Sequence, residues 1–235
     1  MPSVTCELIA LPSAKVEAAD PAVDVVGTCF SYDNGAKGIE ERLGPKLAKY
    51  GLTSKVVMYS VVCGTERDYS YLSQIGQYKQ FHTIFFGIFR RVLFQLGVPP
   101  EDLDDDFLSK DDIDHIYKRY MDLQPRPGLA EMFQILREGG FDVWACSDAS
   151  VERVRGYFKG ANVPIADDHI ISADVVGKGK PEAAVYKLAM EKVGGNTPED
   201  VAVFAGTNVS VYLFGIYLTG SITRLGLCRG KGSWI

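Results

Sequence analysis

The stretch Pro21-Ala22-Val23-Asp24-Val25-Val26-Gly27-Thr28-Cys29-Phe30 decides how this chain is read. Ala22 to Val26 is a short apolar, β-branched run, opened by Pro21 and stopped by Gly27, and it predicts a buried strand carrying one carboxylate. In open parallel sheets ligands gather beyond the carboxyl ends of the strands, so Asp24 stands where chemistry can be done. Working outward, Leu129 to Arg137 spaces its apolar residues (Leu129, Met132, Phe133, Leu136) as a helix does, and Gly139-Gly140 closes it. Phe141 to Cys146 predicts a second buried strand, Val151 to Phe158 a helix, and His169 to Ile171 a short third strand. Glu182 to Val193 predicts a helix started after Pro181, a residue suited to a helix start. Val201 to Ala205 and Ser221 to Leu225 complete the set as fourth and fifth strands. Strand, loop and helix in alternation predict an α/β fold, a Rossmann-like parallel sheet.

The segment between the first two strands has another character. Tyr69, Leu72, Ile75, Phe81, Ile84, Phe85, Ile88, Phe89, Val92 and Leu96 recur at steps of three and four, the mark of amphipathic helices. Aromatics at that spacing read as core packing. The acidic run Glu101 to Asp106 reads as a solvated loop and helix start, and Gln124 to Gly128 (QPRPG) as a stiff linker back to the sheet. The expected organisation is a core from 1–32 and 125–235 with a helical cap, 33–124, inserted after the first strand.

Composition narrows the function. With 235 residues and 46% of them hydrophobic, the chain can bury a real core without disulfides. A formal net charge of −5 argues against nucleic acid or a membrane surface as partner, since both reward clustered Lys and Arg. The partner expected is a small-molecule substrate. The five cysteines (Cys6, Cys29, Cys63, Cys146, Cys228) show no C-x-x-C spacing; Cys29 and Cys146 sit in apolar runs and read as buried reduced thiols. His82, His115 and His169 form no zinc-ligand pattern. No signal-peptide pattern opens the chain, and the longest apolar-rich stretch, around Val211 to Leu218, falls well short of the roughly 18 residues of a membrane span. A cytosolic protein is expected.

Four loops that follow strands carry polar residues: Asp24 to Thr28, Ser147-Asp148-Ala149-Ser150, Lys180-Pro181, and Gly206-Thr207-Asn208. Each alone is ordinary, because Asp and Ser after strands commonly cap helices. Their order carries more: an acid, a long helical insert, a hydroxyl, a lysine before proline, then a small polar loop. A carboxylate nucleophile needs a nearby cation to stay ionised, together with hydroxyl and N–H donors.

In that order the motifs resemble the haloacid dehalogenase-like (HAD) superfamily, and most closely its 2-haloacid dehalogenase-like branch. DVVGTCF (24–30) resembles its first motif, ACSDAS (145–150) the second, GKPEAAVY (179–186) the third and FAGTN (204–208) the fourth, and DYSYLSQIGQY (68–78) resembles the branch's cap helix. The resemblance implies that Asp24 is a nucleophile forming a covalent aspartyl intermediate, with Lys180 as its cation. It implies Thr28 as the first-motif threonine, Ser147 as the second-motif hydroxyl, and Tyr186 and Asn208 as polar residues of the pocket. Relatives in this branch are often dimers, so a homodimer is an expectation of the resemblance.

Departures from the pattern bear on function. HAD phosphatases carry a second acid two residues after the nucleophile; here that residue is Val26. They also bind magnesium through fourth-motif acids, and Asn208 is followed by Val209-Ser210-Val211-Tyr212. A hard cation needs several oxygen ligands, so no metal and no cofactor is expected. Haloacid dehalogenases hold the substrate carboxylate with a cap arginine; Cys63 aligns there, with Arg67 the nearest substitute. The usual second-motif Asn is Asp148, which could replace the acid missing at Val211 and share Lys180 with Asp24. As like charges in one pocket, Asp24 and Asp148 would have one pKa raised, suiting a general acid. Three readings follow: a metal-independent hydrolase of the 2-haloacid dehalogenase type, a HAD-like enzyme doing acid–base chemistry on a neutral metabolite, and a non-catalytic binding protein.

Overall fold

A computed structural model describes residues 20–194 and the strand Val201–Phe204. The expected fifth strand, Ser221 to Leu225, and the fourth-motif residues Asn208 and Val211 lie outside the described residues.

In chain order the elements are β1 (Asp20–Asp24), β2 (Phe30–Ser31), α1 (Asp33–Ala48), α2 (Ser54–Gln74), α3 (Phe81–Gln95), a 3-10 turn (Pro100–Asp102), α4 (Lys110–Met121) and β3 (Gln124–Pro125). Then come α5 (Leu129–Glu138), β4 (Trp144–Ser147), α6 (Val151–Gly160), a second 3-10 turn (Asp167–His169), β5 (Ile170–Ser172), α7 (Ala173–Val176), α8 (Ala183–Val193) and β6 (Val201–Phe204). The described strands of the main sheet run parallel in the order β5-β4-β1-β6. Asp24 pairs with Cys146, and Ser147 with Ser172, so the three loop-bearing strand ends lie side by side.

Successive residues of a strand point to opposite faces, and the core divides accordingly. Val23 and Ala145 pack with Phe133 of α5 and Phe158 of α6 on one face. Ala22, Trp144 and Cys146 pack with Val185 and Ala189 of α8 on the other. A parallel sheet covered by helices on both faces is the α/β architecture that the alternation of elements predicts.

Several boundaries differ from the sequence reading; the second strand, for one, begins at Trp144 rather than Phe141. The first strand ends at Asp24 rather than Val26, because the Val25 carbonyl accepts the N–H groups of both Cys29 and Phe30 and closes a tight turn. That turn needs Gly27 at φ +83°, in the left-handed region. The segment read as a linker instead contributes Gln124–Pro125 to a small antiparallel ribbon with Phe30–Ser31, a pairing between residues too distant in sequence to show in local pattern. The helix expected from Glu182 begins at Ala183 with Glu182 as its N-cap, Pro181 standing just before it as expected, and the Lys180–Pro181 peptide is cis.

Helices α1 to α4 fill 33–121 and share a hydrophobic cluster of their own, with Leu43, Val61, Phe85, Phe89 and Ile116 fully or almost fully buried. At its centre the Phe85 ring lies 5.2 Å from Tyr117, 5.5 Å from Tyr120 and 5.7 Å from Phe89, centre to centre. Phe85→Ala should therefore lower stability by about 3–5 kcal/mol, read as a fall in the urea midpoint; a loss under about 1 kcal/mol would show that this cluster does not hold the insert together.

Candidate active site

Asp24 ends β1 with its side chain almost wholly buried. Its Oδ1 accepts a hydrogen bond from Lys180 Nζ at 2.6 Å, and its Oδ2 accepts one from Thr28 Oγ1, also at 2.6 Å. The turn at Val25 is what returns Thr28 to the carboxylate four residues behind it. Lys180 is itself buried; its ammonium lies 3.8 Å from Asp148 Oδ2 and donates to the Cys146 carbonyl at 3.5 Å. Asp148 also accepts the Lys180 backbone N–H, at 2.8 Å.

One cation thus serves two acids. Burial on its own would drive the Lys180 pKa down, but the Asp24 and Asp148 carboxylates hold it well above the usual lysine value. Asp148 moves the other way from an ordinary carboxyl: burial raises its pKa, Lys180 pulls it down, Asp24 pushes it up again, and the net shift is upward. The Cys146 thiol beneath them is pushed up to about 12 by burial, which keeps it protonated.

The loops are shaped from beneath and from the insert. Ser147 Oγ accepts the Ala149 N–H at 3.1 Å, and Ser172 Oγ donates to the Ala149 carbonyl at 2.9 Å. From α2, Ser70 Oγ donates to the Lys180 carbonyl at 2.9 Å while Ser73 Oγ accepts the Gly179 N–H at 3.0 Å. Gly179 has to be glycine, because a Cβ there would come 2.1 Å from the Tyr69 ring. So α2 is seated directly on the lysine loop, and a cleft of about 440 Å³ lies between them.

The cleft is lined by Asp24, Ser147, Asp148 and Lys180 from the sheet side, and by Tyr59, Cys63, Glu66 and Arg67 from α2. These four sheet-side residues are the set named as catalytic from sequence, and the structure brings them together. The residues named as substrate-binding scatter. Thr28 bonds to Asp24 and is not on the cleft wall. Tyr186 is buried beneath Lys180 and likewise off the wall. Arg67 lines the cleft, but its Nε and Nη2 both lie 3.0 Å from Asp68, whose other oxygen is held by Arg91. Asn208 is outside the described residues. Among the described residues no group of three or more His, Cys, Asp or Glu is placed to hold a metal ion, and no helix is long and apolar enough to cross a membrane.

A family model described as haloacid dehalogenase-like hydrolase matches residues 22–205. The chain belongs to that family. Solved structures share its fold at low identity. One is a dehalogenase, 17% identical, covering 86% of this chain and 82% of that one, with a TM-score of 0.67. Another is the L-2-haloacid dehalogenase of Xanthobacter autotrophicus, 20% identical over 79% of this chain and 69% of that one. It superposes with a TM-score of 0.58 alone and 0.56 with chloropropionic acid covalently bound. A HAD family hydrolase of Deinococcus radiodurans with bound phosphate and sodium is 20% identical over 84% and 76%, with a TM-score of 0.54. No curated protein matches the sequence.

Within this HAD-type cleft stand two charged residues that the sequence reading passed over, Glu66 and Arg153. The signal for Glu66 was present. Tyr59, Cys63, Glu66, Ser70 and Gln74 follow one another at three- and four-residue steps, and all five line the cleft. Counting on from Cys63, positions three and four ahead, Glu66 and Arg67, share its helix face. Glu66 makes no hydrogen bond or ion pair among the described residues. Burial, followed by the repulsion of Asp24, lifts its pKa to about 8 against the pull of Lys180, with Asp148 adding to the rise.

A carboxyl with a folded-state pKa above its unfolded one holds its proton more tightly when folded. Stability therefore falls as pH rises between about pH 5 and pH 8. The wild type should lose stability relative to Glu66→Gln across that window, measured by urea unfolding at a series of pH values. A difference that is flat above about pH 5.5 would mean that Glu66 titrates as an ordinary surface carboxyl.

Proposed function

We propose that this protein is a metal-independent hydrolase of the 2-haloacid dehalogenase type, in which Asp24 attacks carbon and forms an aspartyl ester. The observation that supports it is the arrangement around Asp24: a buried carboxylate paired with Lys180 at 2.6 Å, oriented by Thr28 at 2.6 Å, and opening on a cleft of small-molecule size. In this reading an Asp24 oxygen forms the new bond to carbon as halide leaves with the bonding electron pair. Halide needs no proton, so Val26 in place of a second acid is no handicap. Water then attacks the ester carbonyl of Asp24 while Asp148 accepts its proton; the acyl carbon–oxygen bond breaks, the hydroxy acid departs with that proton on its new hydroxyl, and the Asp24 carboxylate is regenerated with one oxygen from water. The raised pKa of Asp148 suits a general base better than an ordinary aspartate would. Lys180 stands beside the oxygen on which negative charge develops. The covalently bound chloropropionic acid of the Xanthobacter neighbour is chemistry of this kind in a protein of the same fold.

One observation favours a second reading. Glu66 faces the same cleft with a pKa of about 8, which suits acid–base chemistry on a neutral metabolite with no ester to Asp24.

Chloride release from L-2-chloropropionate, without added metal and with chelator present, is the expected activity, and Asp24→Asn should reduce it by at least about a thousandfold, in line with the loss of a catalytic nucleophile. A single turnover in ¹⁸O-labelled water should leave label in the Asp24 carboxylate. Label absent from Asp24 during measurable turnover would favour the acid–base reading, and no chloride release from folded wild type would overturn the dehalogenase one.

A further inference from the structure

Among the described residues the cleft is lined by three cations, and they differ in what already neutralises them. Lys180 is shared by Asp24 and Asp148. Arg67 is paired with Asp68. Arg153, in the first turn of α6, reaches the cleft wall with its Nε 3.2 Å and Nη2 2.7 Å from the Tyr157 hydroxyl, a neutral group. Its guanidinium carbon sits 5.7 Å from the centre of the Tyr157 ring. The charge effects felt there come from the phenols of Tyr157, Tyr120 and Tyr117, and among the described residues no carboxylate lies within ion-pair distance of it.

A partly buried guanidinium without a counter-anion is costly unless a ligand supplies one. The Tyr157 bonds orient the fork and leave Nη1 without a partner among the described residues. A fork held in that way matches a carboxylate, which it can grip through two parallel N–H···O bonds. We infer that Arg153, from the sheet side of the cleft, is the residue that binds the carboxylate of a small organic acid substrate, the task that Cys63 on α2 cannot perform and that Arg67 is held away from by Asp68. This deepens the reading of the preceding subsection and names the residue that holds the carboxylate bonded to the reacting carbon. With Lys180 committed to the nucleophile, the acid would be oriented between two cations of separate purpose, one for chemistry and one for recognition.

The test uses propionate, which carries no leaving group, so its outcome is independent of whether Asp24 forms an ester. Calorimetric titration of the full chain should show propionate binding to wild type, weakened at least about tenfold in Arg153→Gln, the size of effect expected for a lost charge-assisted pair. Arg153→Lys, which keeps the charge but loses the fork, should fall between the two and serves as the deciding variant if Arg153→Gln fails to fold. Arg67→Gln should bind within about twofold of wild type, as expected for an arginine already tied up in an exposed pair. Propionamide, the neutral counterpart, should respond to none of these changes. Equal propionate binding by wild type and the Arg153 variants, or no propionate binding by wild type at all, would overturn the assignment whatever the fate of the Asp24 chemistry.

Discussion

The pairing of Lys180 with Asp24 is the interaction on which the rest of the site depends, joining positions 156 residues apart in the chain. Both side chains are buried, and neither would be tolerable there alone: removing one partner of such a pair typically costs about 3–5 kcal/mol. The pair therefore does two things with one contact. It pins the loop before α8 to the end of β1, and it sets an ammonium against a buried carboxylate at the edge of the cleft. The helical insert is drawn into the same arrangement through Ser70 and Ser73, which bond to the backbone of Lys180 and Gly179. Anything that shifts the lysine loop shifts the roof of the cleft with it.

Charge in the cleft is arranged in layers. At the floor, one ammonium lies between the Asp24 and Asp148 carboxylates, and the pKa of Asp148 rises through burial and the nearness of Asp24 against the pull of Lys180. Above it, Glu66 is held largely protonated at neutral pH, with a pKa of about 8. That removes one negative charge from a site that would otherwise repel an anionic acid. Arg153, backed by tyrosines rather than carboxylates, supplies positive charge that nothing on the described protein cancels.

The four described strands and the position of Asp24, Ser147 and Lys180 were legible because each rests on local signals: apolar runs of strand length, glycine stops and polar residues just beyond strand ends, whereas the order of the strands in the sheet was not. The aromatic stripe of the insert was legible as core for the same reason, and Phe85 and Phe89 are indeed fully buried. Phe81 and Tyr120 are more ambiguous, since both belong to the insert's packing and both line the cleft. Periodicity identifies the face of a helix that turns inward, yet it does not distinguish a face that meets protein from one that meets a cavity.

The sequence by itself therefore determined the α/β fold, the helical insert, and the set of groups gathered at the sheet's carboxyl edge, because each follows from residue pattern within a short window. Tertiary structure alone decided how charges are matched across elements. That Arg67 spends its charge on Asp68, that Arg153 keeps its own, that Glu66 looks down on Asp24, and that Gln124–Pro125 pairs with Phe30–Ser31 are all consequences of which helix lies against which loop. Electrostatic energy depends on distance and on burial in three dimensions, and neither is written in the spacing of residues along the chain.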